Sequence, residues 1–302
     1  MFSFSYTGRP LLVRTFCGSN GQTRCFRSTV LKASWNSPSG IESVVLAGRP
    51  AKNTSVSTSN FEMTKDSKLT KNDVVARTLF LSVDPYMRCR FNEDTGVEYT
   101  KPFALGRPIT SAAIGEIVHV SNNVKSDLKK GDLVLEWFDA WEWRNYVGFN
   151  EEEAKSLKVI PAEMECLLPV TLTLGMVGQT GLSAYFGILG EASPQSSDTL
   201  IISGAAGAVG TTVGQLAKSR GAKVIGICGS SEKGDILTQE LGFDAYVNYK
   251  SGNSLEQELS SVLGDDKATL YFDNVGGEMS DTIVSQFMAP NSQVIICGQI
   301  DM

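Results

Sequence analysis

The 302-residue sequence predicts an α/β protein in which a β-rich first domain is followed by a doubly wound parallel sheet. Three observations carry this prediction. Between Ile41 and Ile160 short β-branched runs are separated by Gly and Asp turns; beyond Pro161 apolar strands alternate with amphipathic helical stretches; and one of those strands leads directly into a glycine-rich turn and a helix. Strands alternating with helices imply βαβ units with right-handed crossovers.

In the first domain the expected strands are ESVVLAG (42–48), DVVARTLFLSVD (73–84), AAIGEIVHVS (112–121), GDLVLEW (131–137), EWRNYVGF (142–149) and LKVIP (157–161). In the second they are TLIIS (199–203), KVIGIC (223–228), AYVNY (245–249), TLYFD (269–273) and QVIIC (293–297), each pair separated by a helical stretch. A doubly wound dinucleotide sheet usually has six strands. The sequence stops at Met302, just past the strand 293–297, so the expectation is a C-terminally truncated sheet.

Composition narrows the function. Hydrophobic residues make up 42% and charged residues 20%, with 29 Gly against 10 Pro, which excludes collagen-like, disordered and coiled-coil chains. The six cysteines (17, 25, 89, 166, 228 and 297) form no CxxC pair, so neither a disulfide framework nor a zinc knot is indicated and a reducing compartment is expected. The single histidine, His119, rules out two-histidine zinc sites and HExxH peptidases. From Cys166 to Gly190 there is no charged residue, but Pro169, Gln179 and several glycines interrupt the run and a second uncharged run, 199–217, follows. The reading is therefore the buried centre of an α/β domain, with no membrane partner.

The net charge of −6 is unevenly distributed. Residues 1–41 carry Arg9, Arg14, Arg24, Arg27 and Lys32 with no acid, which leaves −11 for the rest. The expected organisation is a basic leader over 1–40, a β-rich domain over 41–160 and a dinucleotide-binding domain over 161–302. The leader has the composition of an organellar transit peptide or of a solvated tail, so the location is expected to be cytoplasmic or mitochondrial. The acidic remainder offers no basic groove, and no nucleic-acid partner is expected.

The strongest chemical signal is Ser203-Gly204-Ala205-Ala206-Gly207-Ala208-Val209-Gly210, set between a strand and a helix with Val209, Val213, Leu216 and Ala217 on one face. Gly204 permits the tight turn, Gly207 lets the backbone approach a pyrophosphate, and Gly210 lets the helix pack close to the sheet. The helix N-terminus adds unpaired N–H groups and a partial positive charge. NAD readers place an acid at the end of the next strand, whereas this sequence reads Gly229-Ser230-Ser231-Glu232-Lys233. Small hydroxyls and Lys233 suit a 2′-phosphate, so NADPH is expected as the cofactor.

These residues, with LSVDPYMRCR (81–90), GLSAYFGIL (181–189), SGAAGAVGTTVGQLAK (203–218), GICGSSEK (226–233), LGFDAYVNYK (241–250), YFDNVGG (271–277) and CGQI (297–300), occur in an order and spacing that resembles the zinc-free medium-chain dehydrogenases/reductases. The resemblance is to the branch of leukotriene B4 12-hydroxydehydrogenase and the prostaglandin reductases. It implies a GroES-like first domain facing a Rossmann domain across a cleft, and NADPH-dependent reduction of the carbon–carbon double bond of α,β-unsaturated ketones or aldehydes such as 15-keto-prostaglandins, without zinc. By matching motif it further implies that Ala208, Val209, Gly210 and Thr211 hold the pyrophosphate, and Lys233 and Tyr249 the 2′-phosphate side. Asn274, Cys297, Gly298, Gln299 and Ile300 would approach the rest of the cofactor, while Trp137 and Phe138 line the substrate pocket. The sequence departs from the family in having Gln179-Thr180 before Gly181-Leu182-Ser183.

Hydride delivery to a β-carbon leaves negative charge on an enolate oxygen, which needs a hydrogen-bond donor. Tyr86 of Asp84-Pro85-Tyr86-Met87-Arg88 is the candidate donor or substrate wall. His119 reads as a half-buried structural residue, Cys228 and Cys297 as core thiols, and Glu151 to Glu153 as a solvated helix start. Trp141, Trp143 and Tyr146 read either as strand packing or as a ligand platform. Partners are then a small enone and, with no sequence signal either way, a second copy in a homodimer. The competing readings are an NADPH-binding protein without catalysis and an NADPH quinone reductase.

Overall fold

The structure, a computed structural model, describes residues 40–51, 54–298 and 300, with the side chains of 165 and 166 excepted. The expected leader and Gln299 lie outside the described residues. The chain forms two compact units that divide between Leu174 and Gly175. The composition changes earlier, at Pro161, but the 3-10 turn Val170–Leu174 lies against a long strand of the first unit and belongs with it.

In the first unit β1 (Ile41–Leu46) pairs antiparallel with β2 (Phe61–Asp66). β3 (Val74–Leu81) is followed by the single turn α1 (Met87–Arg90), then β4 (Thr110–Val120), β5 (Leu133–Glu142), β6 (Tyr146–Phe149), α2 (Glu151–Ala154), β7 (Lys158–Val159) and α3 (Ala162–Leu167). Five strands make an antiparallel sheet in the order β6-β3-β4-β5-β7. Its core gathers Val74, Ala76, Ile117, Val134, Val147 and Trp141, the last fully buried with its indole N–H donating to Thr78 Oγ1 at 2.9 Å. Trp143 is buried in a second cluster with Val44, Leu46, Met87, Phe91 and Phe103, and donates to Ser111 Oγ at 2.9 Å. Both tryptophans are therefore packing residues, not a ligand platform. Asn150 caps α2 by accepting from the Glu153 N–H at 2.9 Å, and Glu153 pairs with Lys71, so the three glutamates do open a helix.

The second unit begins with α4 (Gln179–Tyr185), extended by a π-type turn over Phe186–Ala192. There follow β8 (Thr199–Ile202), α5 (Ala208–Ser219), β9 (Lys223–Cys228), α6 (Ser231–Asp235), β10 (Ala245–Asn248), α7 (Leu255–Leu263), β11 (Ala268–Asp273), α8 (Gly277–Gln286) and β12 (Met288–Ile296). The five strands are all parallel in the order β10-β9-β8-β11-β12, with the order reversing next to β8. Ligands of such sheets bind outside the carboxyl ends of the strands at that reversal. Two buried clusters flank the sheet: one with Leu200, Ile202, Val213, Ala217 and Phe272, the other with Ile201, Ile225, Tyr271 and Ile283. Among the described residues no helix is long and apolar enough to cross a membrane.

Helix α5 is buried along Val213 and Ala217, with Val209 and Leu216 packed at the margin, as the periodicity predicts. It ends where Gly221 takes φ +87°. Gly214, on the same buried side, lies so close to Phe243 that a Cβ there would stand 2.0 Å from the ring. Overpacking of this kind costs about 1–3 kcal/mol. Gly214→Ala is expected to lower the urea unfolding midpoint by the equivalent of that loss, and an unchanged midpoint would show that the ring can move aside.

Candidate functional site

The second unit carries a cavity of about 870 Å³ at the carboxyl ends of β8, β9 and β11. Its floor is made by the turn after β8. Gly204 adopts φ +57°, open to glycine but strained for other residues. That turn brings α5 against the strand end: a Cβ at Gly210 would stand 2.6 Å from the Gly204 carbonyl oxygen and 2.7 Å from Ala205 Cα. Gly207 is the N-cap of α5, and no side chain caps the helix there. The first N–H groups of a helix have no intrahelical acceptors, so α5 presents unsatisfied donors and the positive end of its dipole at this point.

Along the wall stand the end of β9, with Ile227, Cys228 and Gly229, and the start of α6. Lys233 on α6 and Tyr249 after β10 both line the cavity, and so does Lys250, whose ammonium lies 5.4 Å from the Tyr249 ring centroid. Burial pushes the Cys228 thiol up, with the Ser230 carbonyl 3.3 Å from its sulfur. The Ser230 hydroxyl, expected to serve a phosphate, caps α6: its oxygen accepts from the Lys233 N–H at 3.4 Å and it hydrogen-bonds the Glu232 carboxylate. The opposite wall is Val275, Glu278 and Met279, from the turn after β11 and α8. The acids Glu256 and Glu278 also border the space.

Of the expected cofactor residues, Gly204, Gly207, Lys233, Tyr249 and Ile300 line this cavity directly. Ala208, Val209, Gly210 and Thr211 form the first turn of α5, with Gly210 buried beneath the loop. Asn274 docks beside it: its Nδ2 donates to the Ser203 carbonyl at 2.8 Å, and its own N–H donates to Ser203 Oγ at 2.8 Å. The Gly298 and Ile300 N–H groups donate to the carbonyls of Asp273 and Val275, at 3.0 and 2.9 Å. Cys297 corrects the sequence reading. It is exposed, not a core thiol, because it follows β12 at the edge of the described sheet, whereas Cys228 lies within the sheet and is buried. Sequence reasoning also missed Lys250, whose only signal was a second lysine beside Tyr249.

The first unit holds the aromatic residues. The Tyr86 ring stacks on Phe138 at 5.4 Å and 15°, and its hydroxyl donates to the Phe138 carbonyl at 2.9 Å. The β4–β5 register shifts between Ser111 and Ala113, so that Trp137–Ala140 bulge from the ladder. The buried Glu136 carboxylate holds this bulge, accepting from the Phe138 and Ala140 N–H groups at 3.3 and 3.0 Å. Burial raises the Glu136 carboxyl pKa against the pull of those donors. Trp137, at the bulge, is 51% exposed. Burial, with Asp139 nearby, raises the Tyr86 phenol well above its ordinary range. His119 is half-buried in β4, as expected.

Comparison with known proteins places this geometry. Residues 42–157 match the N-terminal domain of oxidoreductases and residues 208–302 match the zinc-binding dehydrogenase domain. Prostaglandin reductase 1 of Rattus norvegicus is 38% identical over 244 residues, covering 80% of this chain and 68% of that protein. The chain belongs to the medium-chain dehydrogenase/reductase family. The NADP(+)-dependent 2-alkenal reductase of Nicotiana tabacum is 37% identical over 232 residues, 76% of this chain and 63% of that protein. The crystal structure of CurA from Vibrio vulnificus in complex with NADPH superposes with a TM-score of 0.71 at 29% identity, covering 84% of this chain and 70% of that one. The chain thus spans about two thirds of the length of the relatives it matches. As for the zinc in the second domain's description, no cluster of three or more His, Cys, Asp or Glu able to hold a metal occurs among the described residues.

Proposed function

We propose that this protein is an NADPH-dependent reductase of the carbon–carbon double bond of α,β-unsaturated aldehydes and ketones, with 15-keto-prostaglandins among its substrates. The observation that carries the reading is one cavity holding the glycine turn and the start of α5 together with Lys233, Tyr249 and Lys250. The relatives named as prostaglandin and alkenal reductases support it.

The residues fit such a cofactor. The backbone approach at Gly207 and the unsatisfied N–H groups at the start of α5 suit a pyrophosphate. The ammonium of Lys233 would pair with a 2′-phosphate, with Lys250 adding a second charge and the Tyr249 ring an apolar face. Ile227, Leu255, Val275 and Met279 supply the apolar lining an adenine requires. Bound NADPH supplies the hydride. In the first unit Trp137, Phe138 and Tyr86 form an aromatic surface suited to the apolar chain of an enone. Tyr86 is assigned to the substrate wall, because its phenolic proton is already donated to the Phe138 carbonyl and burial holds the phenol neutral.

The purified protein is expected to consume NADPH when given a 2-alkenal or a 15-keto-prostaglandin, with the saturated carbonyl as product. NADPH binding without any double-bond reduction would establish the non-catalytic reading, and a quinone reduced far faster than any enone would favour the quinone reductase. A charge-assisted contact contributes about 1.5–3 kcal/mol, so Lys233→Ala should weaken NADPH by about 10–100-fold and leave NADH nearly unchanged. Equal losses for the two cofactors would remove Lys233 from 2′-phosphate recognition.

Loss of an oxyanion donor typically lowers kcat by about 10²–10³-fold. Tyr86→Phe, which keeps the ring stack, is expected to lower kcat by far less; a loss in that range would return Tyr86 to the role of donor.

A further inference from the structure

The carboxylate of Asp273, at the end of β11, is 2% exposed. Its Oδ1 accepts from four donors: Ser203 Oγ at 2.9 Å, Tyr271 Oη at 2.8 Å, and the N–H groups of Val275 and Gly276 at 3.0 Å each. Its Oδ2 accepts from Ser280 Oγ at 2.8 Å. Burial alone would push this carboxyl up, but the donors outweigh it and hold the group below the ordinary aspartate range, so it is an anion at neutral pH.

Tyr271 is a core residue of β11, but the other four donors belong to turns or a helix that border the cavity. Ser203 is the last residue before Gly204, and its hydroxyl oxygen also accepts from the Asn274 N–H at 2.8 Å. Val275 lines the cavity and begins the turn into α8, where Gly276 and Gly277 take φ of +78° and +62°. Ser280 lies on α8 beside the lining residue Met279. The Asp273 carbonyl accepts from the Cys297 and Gly298 N–H groups at 2.8 and 3.0 Å, which ties these two residues to the end of β11. The loops after β8, β11 and β12 thus converge on one residue that does not itself line the cavity.

We propose that Asp273 is the positioning residue of the cofactor site: it sets the spacing between the Gly204 turn, the Asn274–Val275 turn and residues 297 and 298, and thereby the affinity for the dinucleotide. This rests on the reading that the cavity holds NADPH. A purely structural role would lower stability without a matching loss of affinity. Asp244 provides the comparison. Its carboxylate accepts from Lys218 Nζ at 2.8 and 2.9 Å and from the Val224 N–H at 2.6 Å, tying the end of α5 to the start of β9 at the end of the strands opposite the cavity.

The test measures NADPH dissociation constants by fluorescence for the unsubstituted chain and for Asp273→Ala, Asp273→Asn, Ser203→Ala and Asp244→Ala. Thermal midpoints and amide hydrogen exchange are recorded without cofactor. Asp273→Ala is expected to weaken NADPH at least tenfold and to speed exchange at Val275 and Gly276, whose N–H groups the carboxylate accepts. Asp273→Asn, which keeps an oxygen where the donors converge but not its full charge, should fall between that variant and the parent. Asp244→Ala should lose thermal stability with NADPH affinity within twofold of the parent. Affinity within twofold of the parent in Asp273→Ala overturns the inference. If that variant does not fold, Ser203→Ala decides: at least threefold weaker binding supports the inference and an unchanged constant overturns it. An unsubstituted chain that binds no NADPH overturns the functional reading instead, and this inference with it.

Discussion

The contact on which the second unit depends is that between the first turn of α5 and the end of β8. Any side chain at Gly210 would strike the Gly204 carbonyl and Ala205, so the helix can pack this closely only where the sequence has glycine. Burial of Val213 and Ala217 on the sheet holds it there, a full valine burial contributing about 1.5–3 kcal/mol. The consequence is electrostatic. A helix end pressed against the strand turn faces its unsatisfied N–H groups into the cavity, with a partial charge of roughly +0.5. Packing thus gathers backbone donors at a point that, in the proposed reading, receives the pyrophosphate.

That site sits in an acidic protein: the net charge is −6, and the part beyond residue 41 is more negative still. Local arrangement outweighs the total, because charges beyond a Debye length of about 8 Å are largely screened at physiological ionic strength. Lys233, Tyr249 and Lys250 line one cavity, and the carboxylates that border the same space are Glu256 and Glu278. In the proposed reading, the absence of an acid at the end of β9 lets the lysines favour a phosphate on the adenosine ribose. The buried anion Asp273 is the counterpart inside the protein. It draws the surrounding loops together with five donors but, being fully enclosed by them, offers no carboxylate face to the cavity.

Much of this was legible in the sequence because period and punctuation follow from backbone geometry. The apolar runs after Pro161 became parallel strands, and the glycine triplet became the turn and start of α5. What was not legible depends on tertiary placement. β2 was missed because Phe61–Asp66 has only two apolar residues, ends in Thr64-Lys65-Asp66 and is mostly exposed, so it carries almost no hydrophobic signal. The π-type turn over Phe186–Ala192 looks like ordinary helix in composition. Cys228 and Cys297 both end apolar strands, and only sheet order separates the buried thiol from the exposed one. The network around Asp273 joins residues some seventy positions apart, which no local spacing can reveal.

The phosphate that distinguishes the two forms of the cofactor offers the most direct test. Adenosine 2′,5′-bisphosphate and 5′-AMP can be titrated calorimetrically into the full chain at two salt concentrations. The bisphosphate is expected to bind at least tenfold more tightly, with the difference shrinking as salt rises. Equal affinities at low salt would mean that the cavity does not read a 2′-phosphate, and would contradict the central claim.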